Sequence, residues 1–204
     1  MAKLYEKFGE FDSAEEINRA ALAQISQGDY EAVKTIAKEN GIDEGEAQDF
    51  LEGLYPELCG PFSAAVGKLH VEAEALGLPM TMQLWVEHII LMMEKDLDLE
   101  DGLDEVLMKG IRRKGKNMAE LFGKLIVETS RTRKNTPAEI VTAARKIDSS
   151  IPSTLPIGDI SKKRFEEIVR EYYIDPARQQ EEKPEVAPVQ QGEAPEETEG
   201  GDDE

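Results

Sequence analysis

The stretch Thr81 to Lys95, TMQLWVEHIILMMEK, limits what this chain can fold into more than any other. Met82, Leu84, Trp85, Val86, Ile89, Ile90, Leu91, Met92 and Met93 fall nearly all round a helix instead of on one stripe, which predicts a central buried helix that other elements must cover. Those other elements read as helices too. Ser13 and Glu16 form a capping box ahead of Ala14, Ile17, Ala21 and Ile25, and Gly28 ends that helix. A second helix over 29–39 is expected to bury Tyr30, Val33, Ile36 and Ala37, with Asn40-Gly41 as its left-handed stop. A third starts at Asp43 and carries Ala47, Phe50, Leu51 and Leu54 inward. No stretch shows sustained strand alternation, so the expected fold class is all-α: a multi-helix globular domain with a small N-terminal helical subdomain.

Two prolines and a glycine in Leu54-Tyr55-Pro56-Glu57-Leu58-Cys59-Gly60-Pro61 set the expected boundary, giving an acidic N-terminal subdomain over 1–54 and a helical domain over 62–174. In the second part a helix over 62–76 ends at Gly77, and a short one over 103–109 leads into a charged loop, Lys109 to Lys116. The next helix puts Met118, Leu121, Phe122, Leu125 and Ile126 on one face. Thr136 as cap, Pro137 at the first turn and Glu139 as box partner predict another helix start, with Ile140, Val141 and Ala144 inward. After an irregular connector with Pro152 and Pro156, the last helix, Ser161 to Tyr173, buries Phe165, Ile168, Val169 and Tyr172. From about Ala177 proline, glutamate, glutamine and glycine dominate, and 177–204 is expected to be a disordered acidic tail. That tail is either a solubility segment or an electrostatic lid over the basic residues.

Charge is sorted along the chain. Met1 to Met108 holds 24 acids and 7 bases, Lys109 to Glu171 holds 8 acids and 15 bases, and Tyr172 to Glu204 holds 11 acids and 2 bases, within a net charge of −19. The basic island, 109–134, supplies the candidate nucleic-acid contacts: Lys109, Arg112, Arg113, Lys114 and Lys116 from the loop, then Lys124, Arg131, Arg133 and Lys134 along the following helix. Such contacts would grip phosphates without reading bases. Asp43, Glu44, Glu46, Asp49 and Glu52 are the candidate partner-binding residues, an acidic helix suited to a positive protein groove. The alternative is that the two charged stretches neutralise each other inside one fold.

Motifs for chemistry are missing. Asp96 to Gly102 imitates a calcium loop, but Asp101 stands where the loop needs glycine and Leu107 where it needs glutamate. His70 and His88 have no second ligand at metal spacing, the lone Cys59 reads as a packed thiol, and neither a phosphate loop nor a nucleophile elbow occurs. The expectation is therefore a non-enzymatic protein with no cofactor and no metal. A single cysteine, the lack of a signal-peptide core and the lack of an apolar run of about 18 residues predict a cytoplasmic chain without a membrane partner.

LYEKFGEFDSAEEINRAA at the start, and IRRKGKNMAELFGKLI followed by IVREYYIDP, resemble small accessory proteins of phages and conjugative elements of gut Firmicutes. Roughly Lys109 to Asp175 resembles the PcfK-like proteins, some of which are anti-CRISPR inhibitors of the type II effector nuclease. The resemblance implies a mobile-element accessory protein whose acidic helices bind a nucleic-acid-handling protein, such as an RNA-guided nuclease, by charge complementarity, with the positive nucleic-acid channel as the target. Two other readings remain beside it. One is a nonspecific DNA- or RNA-binding module using the basic island, and the other is an acidic protein–protein adaptor.

Overall fold

The structure, a computed structural model, describes residues 4–94 and 102–174. Among these the chain is mostly helical: α1 Ala14–Ser26, α2 Tyr30–Glu39, α3 Glu44–Leu51, α4 Pro61–Leu76, α5 Met80–Met93, α6 Glu105–Arg112, α7 Met118–Arg131, α8 Ala138–Ile147 and α9 Lys162–Tyr173. Two short strands, β1 Lys134–Asn135 and β2 Pro156–Ile157, pair antiparallel with Lys134 opposite Ile157 and tie the ends of the α8 excursion together. The all-α class expected from periodicity holds. The calcium-like stretch and the acidic tail lie outside the described residues, apart from Gly102 at the end of the former.

Local signals act where the sequence placed them. Ser13 Oγ accepts from the Glu16 amide, while the Glu16 carboxylate reaches one residue further back than a strict capping box, to the Asp12 amide. Asp29, Asp43, Asp104, Asn117 and Ser161 cap α2, α3, α6, α7 and α9 in the same way. Thr136 does not cap α8. Its hydroxyl donates to the Leu155 carbonyl beside the β1–β2 pair, and Pro137 occupies the cap position.

The apolar faces close into two cores. The first joins Ala14, Ile17, Ala21, Val33, Ile36, Ala37, Ala47 and Phe50 of α1–α3 with Leu58, Cys59 and Ala64. The second takes one face from each of α4, α5, α6, α7 and α9, including Leu69, Ile89, Met93, Ile111, Leu121, Leu125, Phe165 and Val169. Trp85 packs edge-on against Phe122 and Phe165, with ring centres 5.4 and 6.0 Å away. α4 belongs to both cores, since Ala64 faces the first while Ala65 and Leu69 face the second.

Small residues let α2 approach α4. A Cβ on Gly67 would stand 2.2 Å from the Asn40 carbonyl oxygen, and Gly41 holds the positive φ of 67° that turns the chain at that contact. Farther on, a Cβ on Gly110 of α6 would meet the Tyr173 carbonyl oxygen of α9 at 2.6 Å.

Several expectations need correction. α4, not α5, takes the central position. Only Val86, Ile89, Met92 and Met93 of α5 are buried, whereas Met80, Leu84 and Leu91 are 71, 61 and 58% exposed. Being apolar on all sides does not bury a helix when its neighbours reach it from one side only. Tyr30, Leu54, Ile126 and Ile140, expected inside, are exposed. α8 buries Val141 alone and belongs to neither core. The expected loop over 109–116 is shorter, because α6 runs through Arg112.

Candidate functional site: a charged seam between the two cores

The loop 113–117 between α6 and α7 turns on Gly115, whose φ is 76°. The acids of residues 10–16 bind it. The Lys114 amide donates to Asp12 Oδ1 at 2.8 Å, Lys114 Nζ lies 3.0 Å from Glu16 Oε2, and the Gly115 amide donates to Glu10 Oε2 at 3.3 Å. Glu10 also accepts from Lys68 Nζ at 2.5 Å, and the same ammonium donates to the Arg113 carbonyl at 2.8 Å. Lys68 stands on α4, so three separate parts of the chain meet at one buried cation.

Beside it lies Arg112, 2% exposed. Its guanidinium donates to Asn40 Oδ1 at the end of α2 and neighbours the Tyr5 phenol, whose residue holds a left-handed φ of 58°. Glu72, one turn after Lys68 on α4, accepts from the Met118 amide at 2.7 Å and lies 3.9 Å from Lys68 Nζ. Its carboxylate thus meets the amino end of α7, where the helix dipole favours negative charge. Burial sets the protonation energetics: it pushes Glu72 up and Lys68 and Arg112 down from their ordinary values, while the facing opposite charges act against it. Burial also raises the Cys59 thiol to about 12, so it packs as a neutral group, with Asn18 bonding its backbone at both ends. A cavity of about 300 Å³ opens beside the seam, lined by Tyr5, Glu10, Glu72, Lys116, Asn117 and Met118 among others.

The nine predicted nucleic-acid residues separate into an inner and an outer group. Arg112 is buried and cannot reach a phosphate on the surface, which corrects the expectation that it projects from a loop. Lys114 is engaged by Glu16, and Lys109 by Glu105 within α6 at 3.1 Å. Arg113 is half-buried beside them and lends its carbonyl to Lys68. Outside the seam, Lys116 and Lys124 place their ammonium groups 4.9 and 5.9 Å from the Tyr172 ring centre. Arg131 lies 4.0 Å from Glu128, and Lys134 pairs with Asp159. Arg133 is exposed with no ion pair among the described residues. The groove between α7 and α9, about 600 Å³, mixes Lys124, Arg131 and Arg164 with Glu120, Glu128 and Glu171. Its charges balance, which weakens any pull on a phosphate backbone.

The acidic candidates sit together on and beside α3. Asp43, Glu44, Glu46 and Glu52 are exposed and Asp49 half-buried. Asp43 caps the helix, Glu46 accepts from Ser63 Oγ at 3.0 Å and Glu52 from Gln48 Nε2 at 2.7 Å, but none forms an ion pair among the described residues.

Tyr5, Glu10, Asn40, Lys68 and Glu72 escaped sequence reasoning. Lys68 did leave a trace: it is the one cation in the apolar run of α4, four residues ahead of Glu72. The lowered pKa of Lys68 is an ingredient of proton-transfer chemistry, yet its ammonium is enclosed and its protons point at Glu10 and Arg113, so it holds the cores together. Among the described residues no group of three or more potential ligands could hold a metal ion, and no helix is long and apolar enough to cross a membrane. In comparisons with known proteins, no family model, no curated protein and no solved structure matches this chain.

Proposed function

We propose that this chain is a non-enzymatic binding protein, a mobile-element accessory whose acidic N-terminal helices dock onto the positive nucleic-acid channel of a partner such as an RNA-guided nuclease. One observation carries the reading: the inner cations of the basic island are engaged within the molecule, while Glu44, Glu46 and Glu52 are exposed and have no cation partner among the described residues. A surface of that kind attracts a positive groove and repels free nucleic acid. The likeness of Lys109 to Asp175 to PcfK-like proteins supplies the kind of partner.

The test is binding to a type II RNA-guided nuclease across a salt series. Association should weaken steeply with salt and fall about tenfold or more in the triple variant Glu44→Gln, Glu46→Gln, Glu52→Gln, which leaves the Asp43 cap intact. Salt-independent binding, or a triple variant that binds as the parent does, overturns the reading. The nucleic-acid alternative keeps a foothold in Arg133, Arg131 and Lys124. A gel shift lost on Arg131→Glu with Arg133→Glu would favour it instead.

A further inference from the structure

Among the described residues, none covers one side of α5. Met80, Leu84 and Leu91 project outward along it with Glu87 between Leu84 and Leu91, one residue per turn on a single stripe. The opposite side, Val86, Ile89, Met92 and Met93, is sealed in the second core, so the stripe is held rigidly from behind. Methionine and leucine on an exposed helix make an adaptable apolar contact surface.

The stripe borders a cavity of about 340 Å³ at the corner between α4 and α5, whose lining includes Glu74, Leu78, Gln83 and Glu87. Neither the Glu74 nor the Glu87 side chain has a hydrogen bond or ion pair among the described residues. His70 also lines this cavity, and among the described residues no lysine or arginine lines it. An apolar stripe running beside two unpaired carboxylates in a recess is complementary to a helix that offers leucines on one face and a lysine or arginine at its margin.

From this we infer that the outer face of α5 is a docking surface for a cationic amphipathic helix of another protein, with apolar side chains over Met80, Leu84 and Leu91 and a basic side chain entering the recess between Glu74 and Glu87. This goes beyond the reading of α3 above and does not depend on it, because the two surfaces share no residue.

The probe is a fluorophore-labelled Leu/Lys amphipathic helical peptide of about 18 residues, long enough to lie along the 14 residues of α5, whose anisotropy is recorded as the full chain is added. A saturable rise is expected. Leu84→Asp and Leu91→Asp should each weaken it at least about tenfold, and Glu74→Lys with Glu87→Lys comparably. All these positions are exposed, and unchanged helical circular dichroism confirms that the variants fold. A scrambled Leu/Lys peptide of the same composition, or a Leu/Glu helix, carrying the same label should show no saturable rise in anisotropy. Equal titration by either control, or indifference to Leu84→Asp, overturns the inference. So does self-association of the full chain, measured by sedimentation, that Leu84→Asp abolishes, since a second copy would then be the occupant.

Discussion

Arg112 and Arg133 belong to the same basic island, yet the first is 2% exposed in the seam between two cores while the second is exposed just past the end of α7. Both look alike to a count of charge. What separates them is the other side of the contact: the end of α2 and the acids of residues 10–16 close over Arg112 and its neighbours, and among the described residues nothing comparable covers Arg133. A run of cations therefore marks a binding surface only where the rest of the chain leaves it uncovered. The same lesson holds for the two apolar helices, since α4 is enclosed by both cores and α5 by one.

Charge reversal separates the inner and outer cations most sharply. Arg112→Glu would bury a carboxylate near Glu10 and Glu72 and strip Asn40 of its donor, at a cost of about 3–5 kcal/mol in urea unfolding. Arg133→Glu should change stability by about 0.5 kcal/mol or less. Comparable losses at the two positions would remove the distinction.

Glycines sharpen it at the next level. Gly67→Ala forces a Cβ against the Asn40 carbonyl and should destabilise by about 1–3 kcal/mol, with Tm falling accordingly. Gly123→Ala, on the open side of α7 with no atom within 4 Å of the added carbon, should stabilise by about 0.5–1 kcal/mol through helix propensity. A stabilising Gly67→Ala would show that α2 and α4 are not in close contact.

The smallest effect is pH dependence at the seam. Glu72 is pushed above the ordinary carboxylate value of 4.5, so the folded state binds its proton more tightly than the unfolded chain does. Its contribution is present below 4.5 and is lost as pH rises through the elevated value. Glu72→Gln has no such proton to lose. The Tm of the parent relative to this variant should thus decline across that window, and a flat difference would show that Lys68 and the α7 amino end fully offset the burial.

Much of the fold was legible in the residues themselves. Ser13, Asp43 and Ser161 start helices, Gly28 and Gly77 stop them, and α9 buries the side chains its period indicates, because capping and amphipathic spacing act within a few residues. Thr136 was misread as a cap because its hydroxyl serves a contact with Leu155 that no local pattern announces. The seam was legible only in fragments. Lys68 and Glu72 share a helix face, but Glu10 and Asn40 come from remote stretches, and their approach depends on Gly41 and Gly67 letting two backbones touch.

By itself, then, the sequence determined the helical class, the start or stop of several helices, such as α1, α3, α4 and α9, and the sorting of acids and bases along the chain. These follow from hydrogen bonding and spacing over one or two turns. Only the tertiary structure decided that α4 is central, that α5 keeps an apolar stripe in solvent, and that Arg112 is spent inside while Arg133 is not. Burial is a property of what arrives from elsewhere in the chain, and that depends on how two cores close on each other.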